Sequence, residues 1–151
     1  MKKICLTLLL LIPALFASAQ GPIKMWNDQL DDFIEVFNQI DPALDQLYTD
    51  NGLSTYTFTY FEPESGNVVK ETTIFDPNTF GTVDDNFLAQ AKSIALNHLA
   101  NAAKTNTRIS SILNEFNKRN TNIVLLYSTE KNGNRVTKQI TITPNEIKSA
   151  R

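Results

Sequence analysis

Residues that carry chemistry are scarce in this chain. Its 151 residues include one cysteine, one histidine, one tryptophan and five glycines. A zinc site of the usual kind needs several His or Cys ligands, which Cys5 and His98 cannot supply. The glycines form no phosphate-cradling loop, and no serine sits in a nucleophile elbow. Positive charge is short as well. Lys and Arg number 14 against 16 Asp and Glu, for a formal net charge of −2. No basic cluster stands out, which argues against nucleic acid or anionic lipid as partner. Neither a metal nor a cofactor is expected.

Long apolar runs are also few. The one at 4–16 is interrupted by Pro13 and is too short for a confident membrane span. Lys2 and Lys3 precede it, and Ala17-Ser18-Ala19 follows with small residues where a signal peptidase reads them. Residues 1–19 therefore read as a secretory signal peptide, cut to leave Gln20 first; the rival is an uncleaved N-terminal anchor. Cleavage removes Cys5 and leaves a single domain, 20–151, with no membrane span and no thiol. The expected location is the periplasm or the extracellular space. A domain of this size manages without disulfides.

What is present is amphipathic pattern. Trp26, Leu30, Phe33, Phe37, Ile40, Leu44 and Leu47 recur at helical spacing. Asp41-Pro42 interrupts them, because proline clashes with the preceding turn and suits the first position of a new helix, with Asp41 as its N-cap. A second short helix should run from Pro42 to about Thr49 and stop at Asn51-Gly52. Threonine then alternates with Tyr56, Phe58 and Tyr60, a strand pattern. A turn at 62–66 and a strand at 68–75 complete a hairpin. A long helix starts near Asp84, weakens at 104–107 and resumes through Ile109, Ile112, Leu113 and Phe116. A strand at 123–129, the hairpin signal Asn132-Gly133 and a strand at 135–143 make a second hairpin. Thr143, Pro144 and Glu146 form a capping box.

The two hairpins echo one another. Laying 54–78 on 121–145 superposes Tyr60 on Tyr127, Gly66 on Gly133 and Asn67 on Asn134. It also superposes Val69 on Val136, Pro77 on Pro144 and Asn78 on Asn145. The expected fold is thus α+β: a tandem helix–helix–β-hairpin repeat, 25–78 and 84–145. It forms a four-stranded antiparallel sheet with helices packed on one face. The superposition also assigns faces. Tyr56, Phe58, Tyr60, Val69, Phe75, Ile123, Leu125, Tyr127, Val136, Ile140 and Ile142 should meet the helices. The opposite face should carry Thr55, Thr57, Thr59, Phe61, Lys70, Thr72, Ile74, Val124, Leu126, Arg135, Thr137, Gln139 and Thr141.

That second face is the candidate working surface, since apolar groups rimmed by polar ones suit a protein contact. Its binding residues would be Phe61, Lys70, Thr72, Leu126, Arg135, Thr137 and Gln139. Leu126 and Phe61 are the anchors, with Lys70 and Arg135 as rim charges. The order of elements resembles small secreted tandem-repeat α+β proteins of the β-lactamase-inhibitor-like type. That resemblance implies partner binding through an exposed sheet face and transfers no residues. The first reading is a secreted or periplasmic, non-catalytic, inhibitor-like binding module with a protein partner. The second is a carrier of a small apolar ligand in a cavity between sheet and helices, lined by Trp26, Phe33 and Phe37. A hydrolase using His98 comes last, because no motif supplies a partner for that side chain. Asp28, Asp31, Asp32 and Glu35 share a helix face and read as a solvated surface, without the Asp-rich loop a calcium site needs.

Overall fold

The computed structural model of this protein describes residues 27–151. The expected signal peptide, 1–19, and Trp26 lie outside them. The described residues divide after Asp32 into two units, the second 33–151. Of the first, 27–32 are helical, with Leu30 buried and Asp28 and Asp31 exposed. Among the described residues no helix is long and apolar enough to cross a membrane.

The second unit opens in helix at 33–38, here α1. Helix α2, Asp41–Asp50, follows with proline in its first turn. Asp41 is helical rather than the cap; Ile40 takes the cap position and makes no side-chain cap bond. Asn51 closes the helix, and Gly52 turns the chain at φ 67°. Strands β1, Thr55–Glu62, and β2, Asn67–Ile74, form the first hairpin. A 3₁₀ turn at Thr79–Thr82 leads to α3, Asp85–Thr105, capped by Asp84 accepting from the Phe87 N–H. Asn106 ends α3 and caps α4, Thr107–Arg119, which breaks the long helix where its sequence weakens. Asn120 in the left-handed region stops α4. The second hairpin is β3, Ile123–Lys131, with β4, Asn134–Ile142, and Asn132 and Gly133 both take positive φ in its tight turn. Helix α5, Pro144–Ala150, starts in the capping box its sequence spells. The hydrogen bond from Lys92 and the box itself hold the Glu146 carboxyl below the usual carboxylate range.

The four strands stand in chain order, β1-β2-β3-β4. Both hairpins are antiparallel, but β2 and β3 run parallel, so the sheet is mixed rather than antiparallel. The cause is the connection. Two helices lie between β2 and β3, long enough to carry the chain back to the starting end of the sheet, as a parallel crossover requires. The tandem repeat is not confirmed. Tyr60 pairs with Val69, whereas their sequence counterparts do not pair: Tyr127 opposes Lys138, and Val136 opposes Thr129.

Core lies between one sheet face and the helices. Val68, Ile74, Ile123, Leu125 and Ile142 cover the sheet side, and Leu44, Leu99, Ile112 and Phe116 the helix side, all essentially without exposure. Phe33 packs on Phe116 at 4.6 Å between ring centres and on Phe37 at 5.6 Å. Tyr127 meets Tyr48 and Phe87 edge-on. Burial pushes the Tyr48 and Tyr127 phenols above the ordinary tyrosine range, so they stay protonated.

Candidate functional site

Strand pairing fixes which residues share a face, because opposed residues point the same way. Thr55, Thr57, Thr59 and Phe61 align with Ile74, Thr72, Lys70 and Val68, and these with Tyr127, Leu125 and Ile123. This is the helix side. Tyr56, Phe58 and Tyr60 align with Thr73, Glu71 and Val69, and then with Ser128, Leu126 and Val124. This is the open side. The second hairpin faces as its sequence suggests; the first is turned over.

Three predicted site residues are therefore not on the open face. Phe61 is half-buried on the helix side, and Lys70 and Thr72 are each 1% exposed there. Lys70 is buried because it is satisfied. Its Nζ lies 2.6 Å from Asp41 Oδ1, donates to Asn38 Oδ1 at 3.1 Å and Thr59 Oγ1 at 3.0 Å, and sits 5.1 Å from the Phe37 ring centre. An ammonium so surrounded can leave water. Asp41, in the first turn of α2 rather than at its cap, supplies the carboxylate of this pair. The Thr72 hydroxyl bonds Tyr48 at 3.2 Å and Thr57 at 3.0 Å. Leu126, Arg135, Thr137 and Gln139 do share the open face, with Leu126 directly opposite Gln139.

The open face has two features. Along β1 runs a row of rings. Tyr56 and Phe58 lie 6.0 Å apart between centres and Phe58 and Tyr60 5.3 Å, at 33° and 21° between planes. Tyr56 is 60% exposed, Phe58 40% and Phe75, just past the end of β2, 63%. Beside this row lies a buried carboxylate. Glu71 accepts from Tyr60 Oη at 3.2 Å and Ser128 Oγ at 3.2 Å, and pairs with the Arg135 guanidinium. Burial, then the Glu71 charge, raises the Tyr60 phenol. Glu71, Thr73, Ser128, Glu130 and Arg135 line an open recess of about 370 Å³. With its oxygens engaged, Glu71 acts as a bracket across the strands rather than as a free base.

Tyr56, Phe58, Tyr60 and Phe75, expected to meet the helices, stand on the open face instead, and no motif marks Glu71. A strict alternation of threonine and aromatics marks a strand without saying which set faces inward. His98 Nε2 lies 3.1 Å from the Val36 carbonyl, in a recess of about 310 Å³ whose lining of Gln39, Asn101, Thr105 and others includes no carboxylate. Among the described residues no group of His, Cys, Asp and Glu is placed to hold a metal ion. The chain matches no family model, no curated protein and no solved structure.

Proposed function

We propose that this protein is an exported, non-catalytic binding module whose working surface is the open face of its sheet. The surface is centred on the Tyr56-Phe58-Tyr60 row, with Leu126 behind it and Arg135, Thr137 and Gln139 as a polar margin. Export rests on Lys2-Lys3, the apolar run and Ala17-Ser18-Ala19. The binding role rests on one observation: aromatic side chains stand in water along a sheet whose other face supplies the core. Exposed rings rimmed by polar groups are the composition of a protein contact. Phe61, Lys70 and Thr72 leave the list of contacts because their side chains lie on the helix side.

The double substitution Tyr56→Ser with Phe58→Ser tests this. Partner capture from envelope extract should be lost, since truncating central anchors removes about 2 kcal/mol or more of binding. Melting should change by only a few degrees, roughly what 1 kcal/mol or less produces in a domain of this size. Undiminished capture would overturn the reading. So would a loss of cooperative melting, which would make the row part of the core.

A further inference from the structure

We propose that β1 pairs with β1 of a second copy of this chain, antiparallel and centred on Phe58. Among the described residues β1 is an edge strand, joined only to β2. The two edges of the sheet are built differently. β4 carries Arg135 and Lys138, charges of the kind that keep an edge from joining another sheet. From Thr55 to Phe61, β1 has no charge, no proline and no glycine, and it alternates residues of high strand propensity.

The backbone groups it offers follow from the hairpin. The Phe75 N–H donates to Ser54 O at 3.0 Å, so Ser54 belongs to the set that exchanges bonds with β2. Tyr56, Phe58 and Tyr60 are in step with it. Thr55, Thr57, Thr59 and Phe61 therefore direct their N–H and C=O groups away from the sheet.

From Tyr56 to Tyr60 this edge reads the same in both directions; one step further out, Thr55 meets Phe61. Outward from Phe58 come Thr57 and Thr59, then Tyr56 and Tyr60. A two-fold at Phe58 sets Phe58 against Phe58, Tyr56 against Tyr60 and Thr57 against Thr59 of the second copy, as an isologous contact demands. Parity agrees. Thr57 and Thr59, whose backbone groups are free, become hydrogen-bonded pairs. The aromatics become the non-bonded pairs, where side chains approach closest. Charge agrees as well: Glu62 of one copy falls opposite Ser54 of the other, and the two Glu62 carboxylates lie at opposite ends of the ribbon. One strand ribbon is small beside the roughly 1,200–2,000 Å² of a stable interface, so the dimer is weak and concentration-dependent. It leaves the open face uncovered and joins the two ring rows side by side. The contact shares Tyr56, Phe58 and Tyr60 with the binding surface but rests on the backbone edge, and it is read by mass rather than by partner capture, so the two proposals fail separately.

Sedimentation velocity from about 10 μM to about 1 mM, the range of a weak association, tests it. Wild-type mass should rise from monomer toward dimer. Phe58→Lys and Phe58→Glu should each remain monomeric, because each sets like charges against one another at the two-fold. Their equimolar mixture should regain the dimer. A wild type that stays monomeric throughout, or both variants still dimerising, would overturn the proposal. Should either charged variant fail to fold, Phe58→Cys in a Cys5→Ser background takes its place. On oxidation it should form a linked dimer, since non-bonded antiparallel pairs lie within disulfide reach. Thr55→Cys in the same background should not, and equal linking at both positions would overturn the register.

Discussion

The two hairpins of this sheet bury different things. Toward the helices, β3 and β4 present Ile123, Leu125, Tyr127 and Ile142, while β1 and β2 present Thr57, Thr59, Lys70 and Thr72 between Val68 and Ile74. One hairpin is held by area removed from water. The other is held by polar contacts with partners on the helices: Lys70 donates to Asn38 and pairs with Asp41, and Thr72 shares a hydrogen bond with Tyr48. Lys70 and Leu125 are register neighbours in the parallel join, so both solutions meet side by side. Burial selects for satisfied groups, and apolar groups are merely those satisfied without partners.

Leu125→Ala should separate the two solutions most strongly. It deletes fully buried apolar volume and should cost about 2–5 kcal/mol in urea unfolding. Asp41→Ala, on the polar side, should cost roughly 2–4 kcal/mol by stranding the Lys70 ammonium, whereas Lys70→Met should stay within about 1 kcal/mol, since an apolar replacement of a buried charge is often neutral. Equal losses for these two would mean that the ion pair itself, and not merely the cost of a stranded charge, stabilises the fold. The smallest contrast is between threonines. Thr72→Ala leaves the Tyr48 and Thr57 hydroxyls short of a partner and should cost about 1–3 kcal/mol. Thr137→Ala, exposed on the open side, should change stability by under about 0.5 kcal/mol.

Where the sequence speaks through local chemistry, it is legible. Asn132-Gly133, the Thr143–Glu146 box, the break at 104–107 and the stop at Asn51-Gly52 each place an element boundary correctly. The apolar stripe of the first helix is legible in the same way: Phe33 and Phe37 are fully buried. Facing in the first hairpin is not legible, because β2 offers Val68, Lys70, Thr72 and Ile74 on one side and Val69, Glu71 and Thr73 on the other. Each set holds one charge and one threonine among aliphatics, so hydrophobicity does not choose. The choice is made by Asn38, Asp41 and Tyr48, distant in sequence. The near-continuous apolar run at 123–127 did carry a signal, that of a central strand with both faces covered or crowded. It fits the place of β3 between β2 and β4. On the open face, the placement of Leu126, Arg135, Thr137 and Gln139 was legible and that of the β1 aromatics was not, by the same reversal of one hairpin.

The parallel join also governs how the sheet is assembled. Each hairpin closes through a short turn, but Thr129 reaches the Ile74 carbonyl across 55 residues of chain. Closing so long a loop costs entropy before its contacts repay any of it, and non-local pairing of this kind slows folding. Until the crossover closes, β2 and β3 are each the raw border of a two-stranded ribbon, open to pairing with the wrong chain. On β2 that border bears the Lys70 and Glu71 side chains, still hydrated. The residues that look most out of place in the finished sheet are thus the ones that guard its temporary seam against strangers.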